Sequence, residues 1–176
     1  MKNLNRAGAS IAAVALAFTG ASAAHAADTV EATASVNVLT AVTVTPPVGG
    51  AFLNFGSIAV NGAGDATLST ANEILCDTDL VCTGTTAVPT FDVSGSQNQD
   101  VAVSFTDAAP TLYLDGDTTS AETIALSDLF TEHTDNSFAL DGDGNGSFTV
   151  GGTLSFDGSE VAGAYSGAVN MSIEYQ

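Results

Sequence analysis

The sequence predicts an all-β domain, folded as a β-sandwich of about eight antiparallel strands. Apolar and polar residues alternate with a period of two over many short segments, which places the apolar side chains on one face of each strand. Clusters of Gly, Pro, Asn and Asp separate these segments at short intervals, and such clusters form turns. A closed barrel is the alternative arrangement of the same strands.

The first 26 residues are predicted to be a signal peptide. Lys2 and Arg6 precede an apolar stretch at residues 11–19, and Ala24-His25-Ala26 has the small-x-small pattern of a cleavage site. No later segment is apolar for long enough to be inserted in a membrane as a helix. We therefore expect export through the signal peptide and a single domain over residues 27–176.

Export would leave a strongly acidic chain. Both basic residues of the sequence lie in the signal peptide, whereas all 20 Asp and Glu residues follow it. The side chains of residues 27–176 therefore carry a formal charge of −20 and no Lys or Arg. Phosphate groups are bound through cations, so this composition argues against nucleic acid and anionic lipid as partners.

The predicted strands can be placed in chain order. Alternating segments occur at residues 30–38, 42–44, 52–60, 66–75, 88–93, 101–105, 111–115, 138–140, 148–156 and 163–176. Residues 122–130 fit either a strand or one to two helical turns. Because Asp157-Gly158-Ser159 lies between the last two segments, we expect these to form an antiparallel hairpin.

The last segment, residues 163–176, is called the C-terminal ribbon below. Its residues of one parity form an apolar face, with small or polar residues between them. A strand of this kind needs a partner that covers its apolar face. The face comprises Gly163, Tyr165, Gly167, Val169, Met171, Ile173 and Tyr175.

The two cysteines, Cys76 and Cys82, are predicted to form a disulfide. They lie close together in a chain bound for an oxidising compartment. The closed loop is short, so its stabilisation should be about 2 kcal/mol. No second pair of soft ligands accompanies them that would indicate a metal site.

Two readings fit Asp141-x-Asp143-x-Asn145-Gly146. The pattern matches the opening of a calcium-binding loop, in which alternating oxygen ligands surround the cation. However, the twelfth position is Gly152 instead of a bidentate Glu. The other reading is a hairpin turn without a cation. Apart from this Ca²⁺ site at Asp141, Asp143 and Asn145, no cofactor is predicted.

The sequence predicts no enzyme. His133 is the one histidine after the signal peptide, and neither Lys nor Arg is present there to stabilise an oxyanion. A nucleophile elbow of the G-x-S-x-G type is absent from the sequence as well. We expect His133 to be a loop residue.

The C-terminal ribbon resembles the final strand of chaperone–usher pilus subunits, because Tyr175 is penultimate and Gly163 is fourteenth from the end. Residues 28–45 resemble a pilin donor strand. The layout is also similar to a family of exported bacterial domains of unknown function. The similar motifs are Leu39 to Thr45, Leu53 to Gly56, Val150 to Leu154 and Gly163 to Gly167.

The resemblance implies an immunoglobulin-like, pilin-like sandwich that lacks its last strand. A groove beside the C-terminal ribbon would first receive a periplasmic chaperone. With an outer-membrane usher as the other partner, the N-terminal strand of an identical subunit would then replace the chaperone and build a surface fimbrium. The donor residues would be Val30, Ala32, Ala34, Val36 and Val38.

An alternative is that the same N-terminal stretch pairs within its own chain. The protein would then be a self-contained secreted or cell-surface module for binding or for a matrix, with Ca²⁺ as a possible stabiliser.

Overall fold

The computed structural model describes residues 31–107 and 109–176, which form antiparallel β-strands joined by turns. The predicted signal peptide, residues 1–26, lies outside the described residues. One short 3₁₀ turn spans Thr134–Asn136. The strands are β1 Thr43–Thr45, β2 Ser57–Val60, β3 Gly64–Leu68, β4 Ile74–Cys76, β5 Leu80–Thr83, β6 Thr90–Ser94, β7 Asp100–Phe105, β8 Thr111–Leu114, β9 Thr123–Thr131, β10 Ser137–Ala139, β11 Asn145–Phe156, β12 Tyr165–Ser166 and β13 Met171–Tyr175.

Strand β11 is the centre of the largest sheet. The strand order is β1-β6-β11-β9-β8-β12, while β3 also pairs with β11 and β4 pairs with β3. The first half of β11 pairs with β6, which sets Phe148 opposite Phe91. Its second half pairs with β3 and β9. The register with β9 shifts after Gly151, where a Cβ atom would lie 2.6 Å from the Leu68 carbonyl oxygen, so glycine is required.

A sheet of three strands, in the order β10-β7-β13, packs against the first half of this large sheet. The core between them follows from the alternation in each strand, since every second residue points inward. Phe148 is fully buried, and its ring stacks on Phe91 at a centroid distance of 5.2 Å. Other buried members of this core are Val93, Val101, Val103, Leu140 and Val150. The all-β sandwich prediction is confirmed.

A second core lies under β2 and β5, which pair with each other. Its buried residues are Phe55, Ala66, Leu68, Leu80, Ile124, Leu126, Leu154 and Phe156. The predicted disulfide is confirmed: Cys76 of β4 is bonded to Cys82 of β5, with Cα atoms 6.4 Å apart. It therefore links the β2–β5 pair to the large sheet.

Three predictions about elements are changed by the structure. Of residues 122–130, which fitted either a strand or one to two helical turns, residues 123–130 lie in strand β9. Residues 66–75 contribute to two strands, β3 and β4, because the chain reverses between them. The expected hairpin of the last two segments is wrong. The C-terminal ribbon pairs with β7 and β8, whereas β11 pairs with β3, β6 and β9.

Candidate functional site

The C-terminal ribbon is hydrogen-bonded along one edge. Its strand β12 pairs with β8, and its strand β13 pairs with β7. Between these strands the Thr106 amide donates to the Asn170 carbonyl at 2.9 Å. The Gln176 amide donates to the Asp100 carbonyl at 3.0 Å. One edge of the ribbon is thus paired at residues 165–166 and again at residues 170–176.

The apolar face of the ribbon is only partly covered. The intervening residues are exposed, in agreement with the predicted alternation, while the large residues of the apolar face are half-buried. None of them reaches the burial of the core residues. Those half-buried side chains are Tyr165, Val169, Met171, Ile173 and Tyr175, whereas Gly163 and Gly167 are exposed.

An apolar groove, called the ribbon groove below, lies between residues 51–60 and residues 160–171. It contains two cavities of about 370 Å³ each, and Phe55 lines both. The floor of the first cavity comprises Ile124, Leu154 and Phe156. The floor of the second comprises Phe91, Leu112, Leu126 and Val150. Two large apolar side chains at its rim are well exposed, Phe52 at 67% and Val161 at 48%.

Both walls of the ribbon groove carry strands with an unpaired edge. Among the described residues β2 pairs with β5 alone, β12 with β8 alone, and β13 with β7 alone. Residues of β2 line the first cavity together with Tyr165 of β12. Unpaired strand edges with an apolar floor between them are a template for an added strand.

The ribbon groove holds little charge in an otherwise acidic protein. Of the described residues that line it, Glu160 alone is charged. The Glu160 carboxylate accepts hydrogen bonds from the amides of Asp157 and Gly158, at 2.7 and 3.1 Å. The Tyr165 hydroxyl donates to the Val161 carbonyl at 2.9 Å. Desolvation, and next the negative charge of Glu122 and Glu160, raise the pKa of Tyr165, so this hydroxyl remains neutral. The groove therefore suits an uncharged apolar ligand.

The predicted donor residues fall at the N-terminal end of the described chain. Val30 lies outside the described residues. Ala32, Ala34, Val36 and Val38 are exposed and belong to no strand, with Val36 at 87% and Val38 at 83% exposure. The end of the predicted 28–45 stretch behaves differently, because Thr43–Thr45 forms β1 and pairs with β6.

Asp141, Asp143 and Asn145, the residues of the predicted calcium loop, form a turn between β10 and β11. The Asp141 carboxylate accepts hydrogen bonds from the amides of Asn145 and Asp143, at 2.8 and 2.9 Å. These two bonds lower the pKa of Asp141. The described residues contain no group of three or more His, Cys, Asp or Glu side chains that could hold a metal ion. In this turn the Asp141 carboxylate has its hydrogen bonds from backbone amides of the turn itself.

His133 contacts residues of β10 and β11. Its Nε2 is 3.0 Å from the Ser147 carbonyl oxygen, and this nitrogen must donate because a carbonyl can only accept. The ring stacks on Phe138 at a centroid distance of 4.5 Å.

No helix within the described part of the chain is long and apolar enough to cross a membrane.

Two features of the site could not be found from the sequence. The first is that residues 51–60, where the sequence predicts a strand at 52–60, form the wall of the groove opposite the ribbon. The second is the Tyr175 hydroxyl, which bonds to Thr40 and Ser96, far away in the sequence. Long-range pairing determines both, and the local alternation carries no signal for it.

Comparison with known proteins assigns the chain to a family. Residues 42–175 match the family described as a domain of unknown function, DUF4402. This match covers most of the sequence, from β1 to the end of β13, and the chain belongs to that family. A search of curated proteins finds no match. The resemblance to a domain family of unknown function is confirmed, while the pilus resemblance remains a proposal.

Proposed function

We propose that the protein is a structural subunit of a surface fimbrium, polymerised by donor-strand exchange. The N-terminal stretch of one subunit would insert in the ribbon groove of the next. Because the donor and the groove are formed by different residues of one subunit, each added copy would offer a new groove or a new donor. Such head-to-tail association does not close and extends into a fibre.

The observation that carries the proposal is the ribbon groove with its two unpaired edges. An inserted strand would hydrogen-bond to the ribbon on one side and to β2 on the other. Its inward side chains would fill the cavities around Phe55. Backbone bonds would supply affinity, and alternate side chains would supply specificity.

The candidate donor has the chemistry that this groove requires. Its inward residues are Ala and Val, they are uncharged, and those at positions 32–38 are exposed in the described structure. Burial of three Val and two Ala side chains would stabilise a complex by about 6–8 kcal/mol before ordering costs are subtracted. This gain is comparable to the stability of a whole domain. Since Thr43–Thr45 already pairs with β6, the exchanged segment would end before β1.

The remaining partners are those that the resemblance to chaperone–usher pilus subunits implies. An unfilled groove exposes apolar side chains and strand edges, which promotes aggregation. A periplasmic chaperone would therefore cover the ribbon edge until an outer-membrane usher brings the next donor. The final location would be the cell surface.

Polymerisation after deletion of residues 28–38 tests the proposal. Polymers held by an inserted strand should survive as a denaturant-resistant ladder on a gel. The deletion should abolish this ladder and leave chaperone binding intact. If the deletion instead unfolds the monomer, the stretch pairs in its own chain and the protein is a self-contained module.

Substitutions on the two faces of the donor strand separate strand insertion from a general effect of added charge. Ala34→Asp and Val36→Asp place a charge on the face that would enter the groove, and each should remove the ladder. Ser35→Asp and Asn37→Asp add the same charge on the opposite face of the strand and should polymerise normally. Equal effects at both parities would contradict insertion of this segment as a strand.

A further inference from the structure

Tyr175, at the end of the C-terminal ribbon, bonds to the backbone just after the candidate donor segment. That segment, residues 28–38, is called the donor arm below. Its hydroxyl donates a hydrogen bond to the Thr40 carbonyl at 2.6 Å and accepts one from the Ser96 amide at 2.6 Å. The Thr40 amide in turn donates to the Ser96 hydroxyl oxygen at 2.7 Å. Both backbone groups of Thr40 are therefore held by the pair Tyr175 and Ser96, three residues before β1 begins.

The residues around Thr40 show that hydrogen bonds, and not side-chain packing, hold its backbone in place. Residues 37–40 border an open cavity of about 580 Å³, and Val38 is 83% exposed. The hydroxyl has a defined place, because a Cβ atom on Gly95 would clash with it. The Gly95 amide itself donates to the Gly144 carbonyl at 2.8 Å, which holds the glycine against the turn after β10. The ring of Tyr175 packs on the core between the two sheets.

We propose that Tyr175 is a positioning residue for the donor arm, acting through Thr40. This inference rests on the proposed donor function of residues 28–38. The ribbon that forms one wall of the groove thereby also fixes the point at which the arm leaves the domain. A fixed root lowers the number of conformations of the arm, which reduces the entropic cost of insertion in the next subunit.

The contact of Tyr175 and Ser96 with Thr40 is called the Tyr175 clamp. Hydrogen–deuterium exchange of the chain without its signal peptide tests this clamp. Tyr175→Phe removes the hydroxyl and keeps the ring in the core. We expect the Thr40 amide and its neighbours up to Val42 to exchange about tenfold faster, the change that one or two lost hydrogen bonds would cause. Exchange in β7, which pairs with the Tyr175 strand, should stay unchanged.

Tyr165→Phe is the matched control. It removes the other tyrosine hydroxyl of the ribbon, which bonds to Val161, and should not alter exchange at residues 40–42. Gly95→Ala displaces the Tyr175 hydroxyl without changing the tyrosine, and should reproduce the effect of Tyr175→Phe. Unchanged exchange at Thr40 in Tyr175→Phe would overturn the clamp.

Polymerisation gives the second readout. Tyr175→Phe should form the denaturant-resistant ladder several-fold more slowly than the wild type. Tyr113→Phe, which removes a tyrosine hydroxyl outside the ribbon groove, should match the wild type. A wild-type rate in Tyr175→Phe would overturn the positioning role. Failure of the fimbrial proposal is distinguishable, because the wild type itself would then form no ladder while the exchange result at Thr40 would stand.

Discussion

At the scale of single residues, the two glycines of the C-terminal ribbon have different reasons to be glycine. A Cβ atom on Gly167 would clash with the backbone carbonyl of Thr111, at the point where the ribbon crosses the start of β8. A Cβ atom on Gly163 would instead meet the Cδ1 atom of the Leu114 side chain. Backbone cannot move without disturbing the sheet, whereas the end of a leucine side chain can rotate.

Gly167→Ala should therefore destabilise the protein by about 1–3 kcal/mol, the usual cost of overpacking. Gly163→Ala in the same ribbon should cost less than about 1 kcal/mol, because Leu114 can move away. Urea unfolding of both variants measures the difference. Equal losses of stability would show that the contact between Gly167 and Thr111 does not fix the position of the ribbon.

At the scale of elements, the turn from Asp141 to Asn145 couples the two sheets. It connects β10 of the three-stranded sheet to β11 of the large sheet. Gly144 has a φ of +80°, which favours glycine, and its carbonyl accepts the Gly95 amide at the end of β6. The Asp141 carboxylate accepts two amides of the turn, so its ionised form is the one that the folded state prefers.

The contribution of Asp141 to stability should depend on pH. The pKa of this carboxyl lies below its ordinary value of 3.8, because it accepts the Asn145 and Asp143 amides. A lowered folded-state pKa stabilises the protein above pH 3.8, and this stabilisation is lost as the pH falls through the folded value. Asp141→Ala should lower the melting temperature at pH 6, and the difference from wild type should narrow below pH 3.8.

Asp143→Ala is the control for this titration, since it removes the same charge from the same turn. The Asp143 side chain accepts no hydrogen bond from the described residues, so its substitution should leave the melting temperature nearly unchanged. A chelator should also have no effect, because the amides already satisfy the turn. A clear rise of the melting temperature in millimolar Ca²⁺ would instead favour the calcium reading.

The same elements indicate how far sequence reasoning extends. Period-two alternation located most strands and assigned the correct face of the C-terminal ribbon, because the pleat alone determines which side chains share a face. It could not select partners. The predicted hairpin with β11 is wrong because adjacent segments need not pair: β11 pairs with β3, β6 and β9, and the ribbon pairs with β7 and β8. The groove and the Tyr175 clamp depend on such distant pairing.

At the scale of the whole molecule, charge and apolar surface are separated. The side chains of residues 27–176 carry 20 acidic groups and no Lys or Arg, yet the ribbon groove is lined by one charged residue. Two subunits that approach each other should therefore repel at long range, while the proposed insertion in the ribbon groove would bring apolar surfaces together at short range. Salt screens the first effect, because the Debye length falls from about 30 Å at 0.01 M to about 8 Å at 0.15 M.

The rate of polymerisation should consequently rise with NaCl over this range. Ladder formation at constant subunit concentration measures the rate. Sucrose, which strengthens apolar association without screening charge, serves as the control and should have a smaller effect. A rate that falls with NaCl would contradict long-range repulsion between acidic subunits as a barrier to assembly.

The position of the ribbon groove also bears on how the chain is made. One wall comes from residues 51–60, near the start of the domain, and the other from residues 160–171, near its end. A nascent chain that has not yet been completed past residue 160 lacks the second wall. Such long-range contacts form late in folding. The groove consequently requires a chain that extends past residue 171, and under the proposed function a chain terminated earlier would offer a donor segment but no groove to receive one.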